Sequence, residues 1–524
     1  MAASQSFVPT EVSALSQKQA VRLASLVIVA ALAAFLFLYR LNVYPEPWYD
    51  EGSHLHVAKN YALNGIYADY SSEGIRYYGP AVGVGPTVML PVATLFNLFG
   101  VSIPLARLAI VVYGFVALAA LYGLGRRFMG HWPALTAVTL VLLSPGSDFP
   151  YNSRTVLGEV PGMAFLAAGL WLWLRPETRR LPGLVGAGVL LGLACITKNQ
   201  FALFILPAML LAWISDLVWY RRRGWLYFVV PGLIAGALFF AWTAIVLFVL
   251  GGQGNLADNL ATLRWATSGA FFRLDMAGME RAISFLMGGG VYSAMFIPAL
   301  LYGLFLSLRR GSEEGQRYGI LTLFILVATG LFVTSLGWAR YAFAPVVLSS
   351  ILVVQMFMDL IGGRRFDWQG IQRLARGETT TPALIALVLL CGVAVNAGLL
   401  PLYARVHAAF QHGNGDAYTL AEYLNANVPR DALIETWEQE LGVLTDHTYH
   451  YPPQVVLAYA VAETWEGAAP ARDLYDFRDY GPPDYVITGP FGVYTIIYPT
   501  ERLADYDLIH TVGAYNVYRR KAAE

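Results

Sequence analysis

Apolar runs of about twenty residues recur along this chain, near 23–40, 103–124, 131–147, 157–174, 181–198, 200–219, 226–250, 290–308, 318–336, 341–360 and 382–403. A run of that length carries a helix across the ~30 Å hydrocarbon core of a bilayer. In lipid, only helices and closed barrels satisfy every backbone polar group. The expected fold class is therefore an all-α polytopic membrane bundle of about eleven spans. A composition of 57% hydrophobic and 13% charged residues is too apolar for a soluble globular protein. A formal net charge of zero excludes a global basic field of the kind that attracts nucleic acid. Cys195 and Cys391 both lie in apolar runs and suggest neither a disulfide framework nor a thiolate metal cluster. The first run, Leu23 to Tyr39, leads into Arg40 and Pro45 without a small-residue cleavage site, so it reads as an uncleaved anchor.

Basic clusters fall at every second junction: Arg126 and Arg127; Arg175, Arg179 and Arg180; Arg221 to Arg223; Arg309 and Arg310; and Arg364, Arg365, Arg373 and Arg376. Lys and Arg in short loops are retained on the cytoplasmic side. This alternation puts the amino terminus (residues 1–22) in the cytoplasm and everything after about Tyr403 outside it. Pro86 to Phe99 is apolar too, but counting it as a span would move Arg126–Arg127 and Arg221–Arg223 outside. It is expected to be an interfacial or re-entrant helix within one long outer loop, 42–102.

The expected organisation is a membrane domain over 23–406 and a small extracytoplasmic α/β domain over 407–524. The latter is more polar, with β-patterned runs such as Asp484–Thr488 and Asn516–Arg519. A helix is predicted over Asp416–Leu424, with Asp416 as its cap.

The sharpest local feature is Trp48-Tyr49-Asp50-Glu51-Gly52 at the start of the long outer loop, followed by a helix-patterned stretch, His54 to Asn64. Adjacent carboxylates at a bilayer edge are costly to bury and suited to taking a proton. They equally fit solvated acids in a helix first turn. His54 and His56 stand two apart, which on a helix points them to different faces and argues against joint metal ligation. Trp48, Tyr49 and Tyr78 belong to an aromatic-rich loop. Such rings gather at membrane interfaces with or without a ligand, and they can also stack on sugar faces.

The order of several short elements resembles the GT-C superfamily of multi-pass glycosyltransferases, the class of protein O-mannosyltransferases, lipid A aminoarabinose transferases and their bacterial relatives. The elements are Asp50-Glu51 after the first span; Gly85-Pro86 and Phe99-Gly100 bounding the interfacial helix; Ala106-Arg107-Leu108; Arg154 with Glu159; Thr197-Lys198; and Arg340-Tyr341 with Pro345. They cover roughly residues 20–360. The resemblance implies transfer of a sugar from a polyprenyl-phosphate donor on the extracytoplasmic face. Asp50 would be the catalytic base, with Glu51 beside it and Glu159 assisting. Arg340, Lys198 and Arg107 would meet the donor phosphate, and Trp48, Tyr49, Tyr78 and Arg154 would contact acceptor or sugar. Some members carry a Lys before the Pro of the interfacial turn; this chain has Gly85, and Arg76 is then a further candidate for the phosphate.

Each of these residues also has a structural reading. Lys198 and Arg340 fit snorkelling side chains at helix ends, Arg107 fits a helix-orienting ion pair, and Glu159 fits a helix cap. No cofactor and no metal ligand set are expected, because the lipid-linked sugar is itself the donor substrate. The implied partners are membrane lipid, the polyprenyl-phosphate sugar and a glycan, lipid or protein acceptor, with no nucleic acid. The expected location is the plasma (inner) membrane. A transporter or flippase of lipid-linked sugars, a polysaccharide polymerase or ligase, and a non-catalytic receptor are the competing classes. A transporter usually shows two related halves with broken midplane helices.

Overall fold

The computed structural model describes residues 17–77, 83–175, 180–250, 276–288, 291–309, 312–335, 337–360, 395–411 and 415–453, most of 455–522, and isolated positions in 256–260 and 376–392. The chain begins with α1 (Gln17–Leu38), then α2 (Tyr49–Asn64), a hairpin of β1 (Ala68–Ser71) and β2 (Gly74–Tyr77), and α3 (Pro86–Phe99). The bundle continues with α4 (Ile103–Met129), α5 (His131–Leu143), α6 (Phe149–Asn152), α7 (Glu159–Trp173), α8 (Leu181–Thr197), α9 (Asn199–Ser215) and α10 (Leu226–Ile245). After α11 (Met276–Gly288) come α12 (Phe296–Ser307), α13 (Glu313–Val333) and α14 (Phe343–Leu360).

Among the described residues, six helices are long and apolar enough to cross a membrane, and five shorter apolar helices accompany them. The chain is a multi-pass membrane protein. The segment 86–99 is a 14-residue helix, short for a span, with Pro86 in its first turn, where its missing N–H costs nothing. Part of the run 382–403 lies outside the described residues, as do Arg179, Arg310, Arg364, Arg365 and Arg373.

Helix α4 sets the vertical scale. Its first turn is capped by Ser102, whose Oγ accepts from Leu105 N at 3.3 Å. Arg107 sits near that end and Arg126–Arg127 in the last turn. At 1.5 Å per residue these ends are about 28 Å apart. Likewise α9 opens just after Lys198, and Arg223 pairs with Glu313 at 3.0 Å beyond its far end. The cationic clusters Arg126–Arg127 and Arg221–Arg223 thus share one end of the bundle, while Lys198 and Arg107 share the other.

That second end carries the carboxy-terminal α/β domain. After α15 (Leu400–Gln411) and α16 (Asp416–Asn427) come β3 (Leu433–Thr436), β4 (Thr448–His450), β5 (Tyr485–Thr488), β6 (Tyr506–Val512) and β7 (Tyr515–Arg520). The strands form one mixed sheet in the order β4-β3-β5-β7-β6, with β3 parallel to both its neighbours. The cap of α16 differs from expectation. Gly415 takes that place, and Glu46, 371 residues away, accepts the free Ala417 N–H at 2.9 Å. A carboxylate from another element supplies what a local Asp normally does.

Two close backbone approaches join the layers. Gly52 of α2 presses on the Trp437-Glu438-Gln439-Glu440 turn, where a Cβ would lie 2.3 Å from Glu440 N. Gly85 lies against the end of α8, donating its N–H to Thr197 O at 2.9 Å, and a Cβ there would fall 1.8 Å from Ile196 O. Both obstacles are backbone and cannot swing aside. Gly85→Ala is expected to destabilise the protein by about 3 kcal/mol or more, read as a lowered melting temperature in detergent. An unchanged melt would show that this contact does not hold α3 to α8.

The 437–440 turn also stores charge. Burial pushes the Glu438 carboxyl up to about 7, and burial together with Glu438 pushes Glu440 well above the ordinary 4.5. Glu438 accepts from Gly492 N at 2.8 Å, Glu440 accepts from Tyr515 O–H at 2.9 Å, and Glu46 adds a third negative charge. Because the folded value is raised, the stability contribution is complete below about 4.5 and is lost as pH rises through about 7. The domain is expected to melt lower at pH 8 than at pH 6, and Glu440→Gln to flatten that difference; equal melting at both pH values would refute it.

Candidate active site

Helix α2 positions the first carboxylate. Its opening turn, Tyr49-Asp50-Glu51-Gly52, places consecutive side chains about 100° apart, so the two acids face different neighbours. Asp50 points to the membrane-bundle face, where Arg340 forms an ion pair with it. Both are partly open, at 20% and 29% side-chain exposure. Arg340 belongs to a one-turn 3₁₀ helix, Ala339–Ala342, that leads into α14, and its guanidinium lies 4.6 Å over the Trp338 ring.

A second ion pair stands beside the first. Lys198, in extended conformation between α8 and α9, pairs with Glu159 in the first turn of α7. The extended segment bridges Val84, and Asn199 donates to Gly83 O at 3.1 Å, so the linker before α3 helps to hold the cation in place. Glu159 is fully buried, and its Oε2 has no hydrogen-bond partner among the described residues. Lys198 feels the charges of Arg340 and Asp50 as well as that of Glu159. The four charged groups therefore form one cluster of zero net charge.

His54 completes it, one helical turn after Asp50 on the same face. Its Nδ1 lies 2.8 Å from Val156 O. A carbonyl can only accept, so Nδ1 carries the proton and Nε2 keeps its lone pair. Burial lowers the His54 pKa, against the pull of Asp50. Burial raises that of Asp50, but Arg340, His54 and Lys198 outweigh it and hold the carboxyl below its ordinary value. At neutral pH the cluster thus offers an ionised aspartate, a neutral imidazole and two cations at the mouths of membrane helices. Tyr341, which senses Arg340, Glu159 and Asp50, borders the same space.

Asp50, Glu159, Lys198 and Arg340, spread over 290 residues of chain, are brought together. The remaining candidates among the described residues are not. Glu51 and Arg107 have no exposed side-chain surface. Arg107 donates Nε and Nη2 to the two Glu51 oxygens at 2.9 and 2.6 Å and Nη1 to Leu41 O at 3.0 Å. Its guanidinium is consumed, so the phosphate role expected of it is corrected to anchoring α2 on α4, and Glu51 is its counter-ion instead of a catalytic acid. Arg154 donates to Leu36 O, Tyr39 O and Tyr44 O, closing the end of α1. It is only 4% exposed, which removes it as a sugar contact.

Arg76 likewise does not reach the cluster. It donates to Pro452 O and Tyr451 O and pairs with Glu73, tying the β1–β2 hairpin to the carboxy-terminal domain. Tyr49 stacks on Phe491 at 3.7 Å, and Trp48 packs in the same apolar cluster, so both serve the domain contact. Tyr78 lies outside the described residues. His56 turns away from His54 towards Gln439 and Asp69, at 3.0 and 3.2 Å. Sequence reasoning missed His54, Trp338 and Tyr341 as members of the site. For His54 the signal was present, since i and i+4 share a helix face; for the other two it was only adjacency to Arg340.

A family model described as dolichyl-phosphate-mannose-protein mannosyltransferase matches residues 84–249. No curated protein gives a significant match. Among solved structures, the chain is similar to ArnT from Cupriavidus metallidurans bound to undecaprenyl phosphate, with a TM-score of 0.61 at 15% identity over 95% of this chain and 98% of that one. It is also similar to the Archaeoglobus fulgidus oligosaccharyltransferase AglB in complex with an inhibitory peptide and a dolichol-phosphate, with a TM-score of 0.58 at 14% identity over 96% and 74%. The family model thus matches about a third of the chain, inside the bundle, and the solved structures share its fold from end to end.

Proposed function

We propose that the chain is a glycosyltransferase of the GT-C superfamily that moves a sugar from a polyprenyl phosphate to an acceptor hydroxyl by single displacement, with Asp50 as the base. The observation that carries the reading is the meeting of Asp50 with Arg340 and of Glu159 with Lys198 at one end of the bundle. A lipid-borne phosphate keeps its tail in the bilayer and its headgroup at that level. The fold relatives point the same way, since the ArnT structure holds undecaprenyl phosphate and the AglB structure a dolichol-phosphate.

The acceptor oxygen attacks the anomeric carbon while the bond from that carbon to the phosphate oxygen breaks. The lipid phosphate departs with the bonding electrons, and the hydroxyl proton passes to Asp50. Arg340 and Lys198 stabilise the charge that develops on the leaving phosphate. The arriving phosphate competes with Asp50 for Arg340, which frees the carboxylate as the donor binds. Glu159 keeps Lys198 oriented.

The clusters Arg126–Arg127 and Arg221–Arg223 lie at the opposite end of the bundle. By the retention of Lys and Arg inside, the amino terminus is cytoplasmic, and the site and the carboxy-terminal domain face out from the plasma membrane. Arg340→Ala is expected to weaken binding of a polyprenyl phosphate by about 10-fold or more, with Arg340→Lys intermediate because it loses the bidentate fork. The readout is titration of the purified protein with undecaprenyl phosphate. Equal affinity in all three proteins would remove Arg340 from the donor site.

A further inference from the structure

A separate cavity of about 250 Å³ lies where the end of α2, the β1–β2 hairpin and the edge strand β4 meet. Asn60, Asn64 and Tyr70 line one side, and Thr445, Tyr449 and Tyr451 the other. The hairpin packs along β4, with Ser72 N donating to Tyr449 O at 2.8 Å, so the strand edge is already covered and cannot accept a peptide strand.

We propose that this cavity is a subsite for one neutral sugar ring of the acceptor, which would make that acceptor a glycan. The idea rests on the glycosyltransferase reading above and deepens it.

Three observations select the ligand chemistry. The wall charges cancel, because Lys59 pairs with Asp446 at 3.1 Å, also donating to Gly442 O at 2.9 Å, so there is no cation left to recruit a phosphate. Polar atoms already buried at the walls lack partners among the described residues: the Tyr451 hydroxyl and His447 Nδ1. Tyr451 and His447 are only 1% and 8% exposed. Such groups cost free energy unless a ligand or water satisfies them. Gly442 lets the Tyr451 hydroxyl sit close against the backbone, since a Cβ there would lie 2.2 Å from it.

The third observation is the aromatic surface. Tyr70 stands at the rim with 47% of its area exposed, and Tyr449 and Tyr451 stack at 5.7 Å on the opposite wall. Flat rings beside amide and hydroxyl groups match a pyranose, which has apolar C–H faces and a hydroxyl-bearing edge. The volume suits a single ring. Along α2, residues 56 to 64 lie about 9 to 21 Å from Asp50. The bound ring is therefore a remote unit of the acceptor, and its reacting hydroxyl reaches the ion-pair cluster at the other end of the helix.

The test is ligand-observed NMR of the full chain in detergent micelles with a panel of methyl glycosides of common hexoses and N-acetylhexosamines. One of them is expected to bind wild-type protein saturably. Binding should persist in Asp50→Asn and weaken about 10-fold or more in Tyr70→Ala/Asn64→Ala, a pair whose side chains are exposed and leave the fold intact. Tyr451→Phe should weaken it less. Absence of binding by every glycoside, or binding that the double substitution leaves unchanged, overturns the subsite. Binding lost in Asp50→Asn but kept in the double variant also overturns it, since the sugar would then occupy the ion-pair cluster. Failure of the glycosyltransferase mechanism is seen separately, as Asp50→Asn protein that still transfers sugar.

Discussion

Asp50→Asn is expected to abolish measurable sugar transfer, a loss of about 10²–10⁴-fold, in protein that still purifies and melts like the wild type. Asparagine keeps the shape and an acceptor oxygen for Arg340, whose side chain stays 29% exposed with its guanidinium stacked over Trp338. What it cannot do is take a proton from a hydroxyl at neutral pH. The pH profile carries the sharper signature. Despite burial, Arg340, His54 and Lys198 hold the Asp50 carboxyl below its ordinary 3.8. A base with a depressed pKa stays deprotonated until the pH drops below that value, so the acid limb of transfer should lie below pH 4 or be absent from the accessible range. An acid limb near neutrality would assign the proton to His54, whose Nε2 is unprotonated and one helical turn away. Transfer retained within tenfold in Asp50→Asn would sink the base assignment altogether.

Breaking the Glu51–Arg107 pair is expected to produce the largest stability loss of any single substitution in the bundle. Both side chains are fully buried and joined by two hydrogen bonds. Arg107→Ala leaves a carboxylate in the interior, and Glu51→Gln leaves an uncompensated guanidinium; each costs about 3–5 kcal/mol. Thermal unfolding in detergent, or the yield of monodisperse protein, reports the loss.

The double change Glu51→Leu/Arg107→Leu should recover part of that stability, because it removes both charges together. Recovery cannot be complete. Val156 N–H, which donates to Glu51 Oε1 at 3.0 Å, and Leu41 C=O, which accepts from Arg107, would be orphaned. Each buried orphan costs about 1–3 kcal/mol. Full recovery in the double variant, or a melt unchanged in the single ones, would show that α2 is held by the carboxy-terminal domain through Gly52 instead of by α4.

The contrast between Asp50 and Glu51 shows how far a sequence reaches. Adjacent acids after an apolar run mark a place where carboxylates meet a membrane surface, and their type suits proton transfer. Which of the two faces the reacting space depends on a rotation of about 100° about α2, and that rotation is set by packing. Gly52 lies against Glu440 on one side, and Arg107 draws Glu51 into the bundle on another. The same holds for the arginines. Arg76, Arg107, Arg154 and Arg340 share a residue type and a membrane level, yet three of them spend their donors on backbone carbonyls or a buried acid. Arg340, stacked on Trp338, keeps part of its surface open.

Run length, charge spacing and the order of short motifs were enough to give a polytopic helical bundle and the helix at 86–99, and they pointed to the family whose model matches residues 84–249. The reason is that a bilayer penalises every unpaired backbone group, and its thickness makes hydrophobic length a direct measure of a span. Only the folded chain decided that Glu159 and Lys198 form a second ion pair beside Asp50 and Arg340, that His54 joins them and that Glu51 does not. Contacts between residues 39 to 290 positions apart arise from how helices pack, and no local periodicity encodes them.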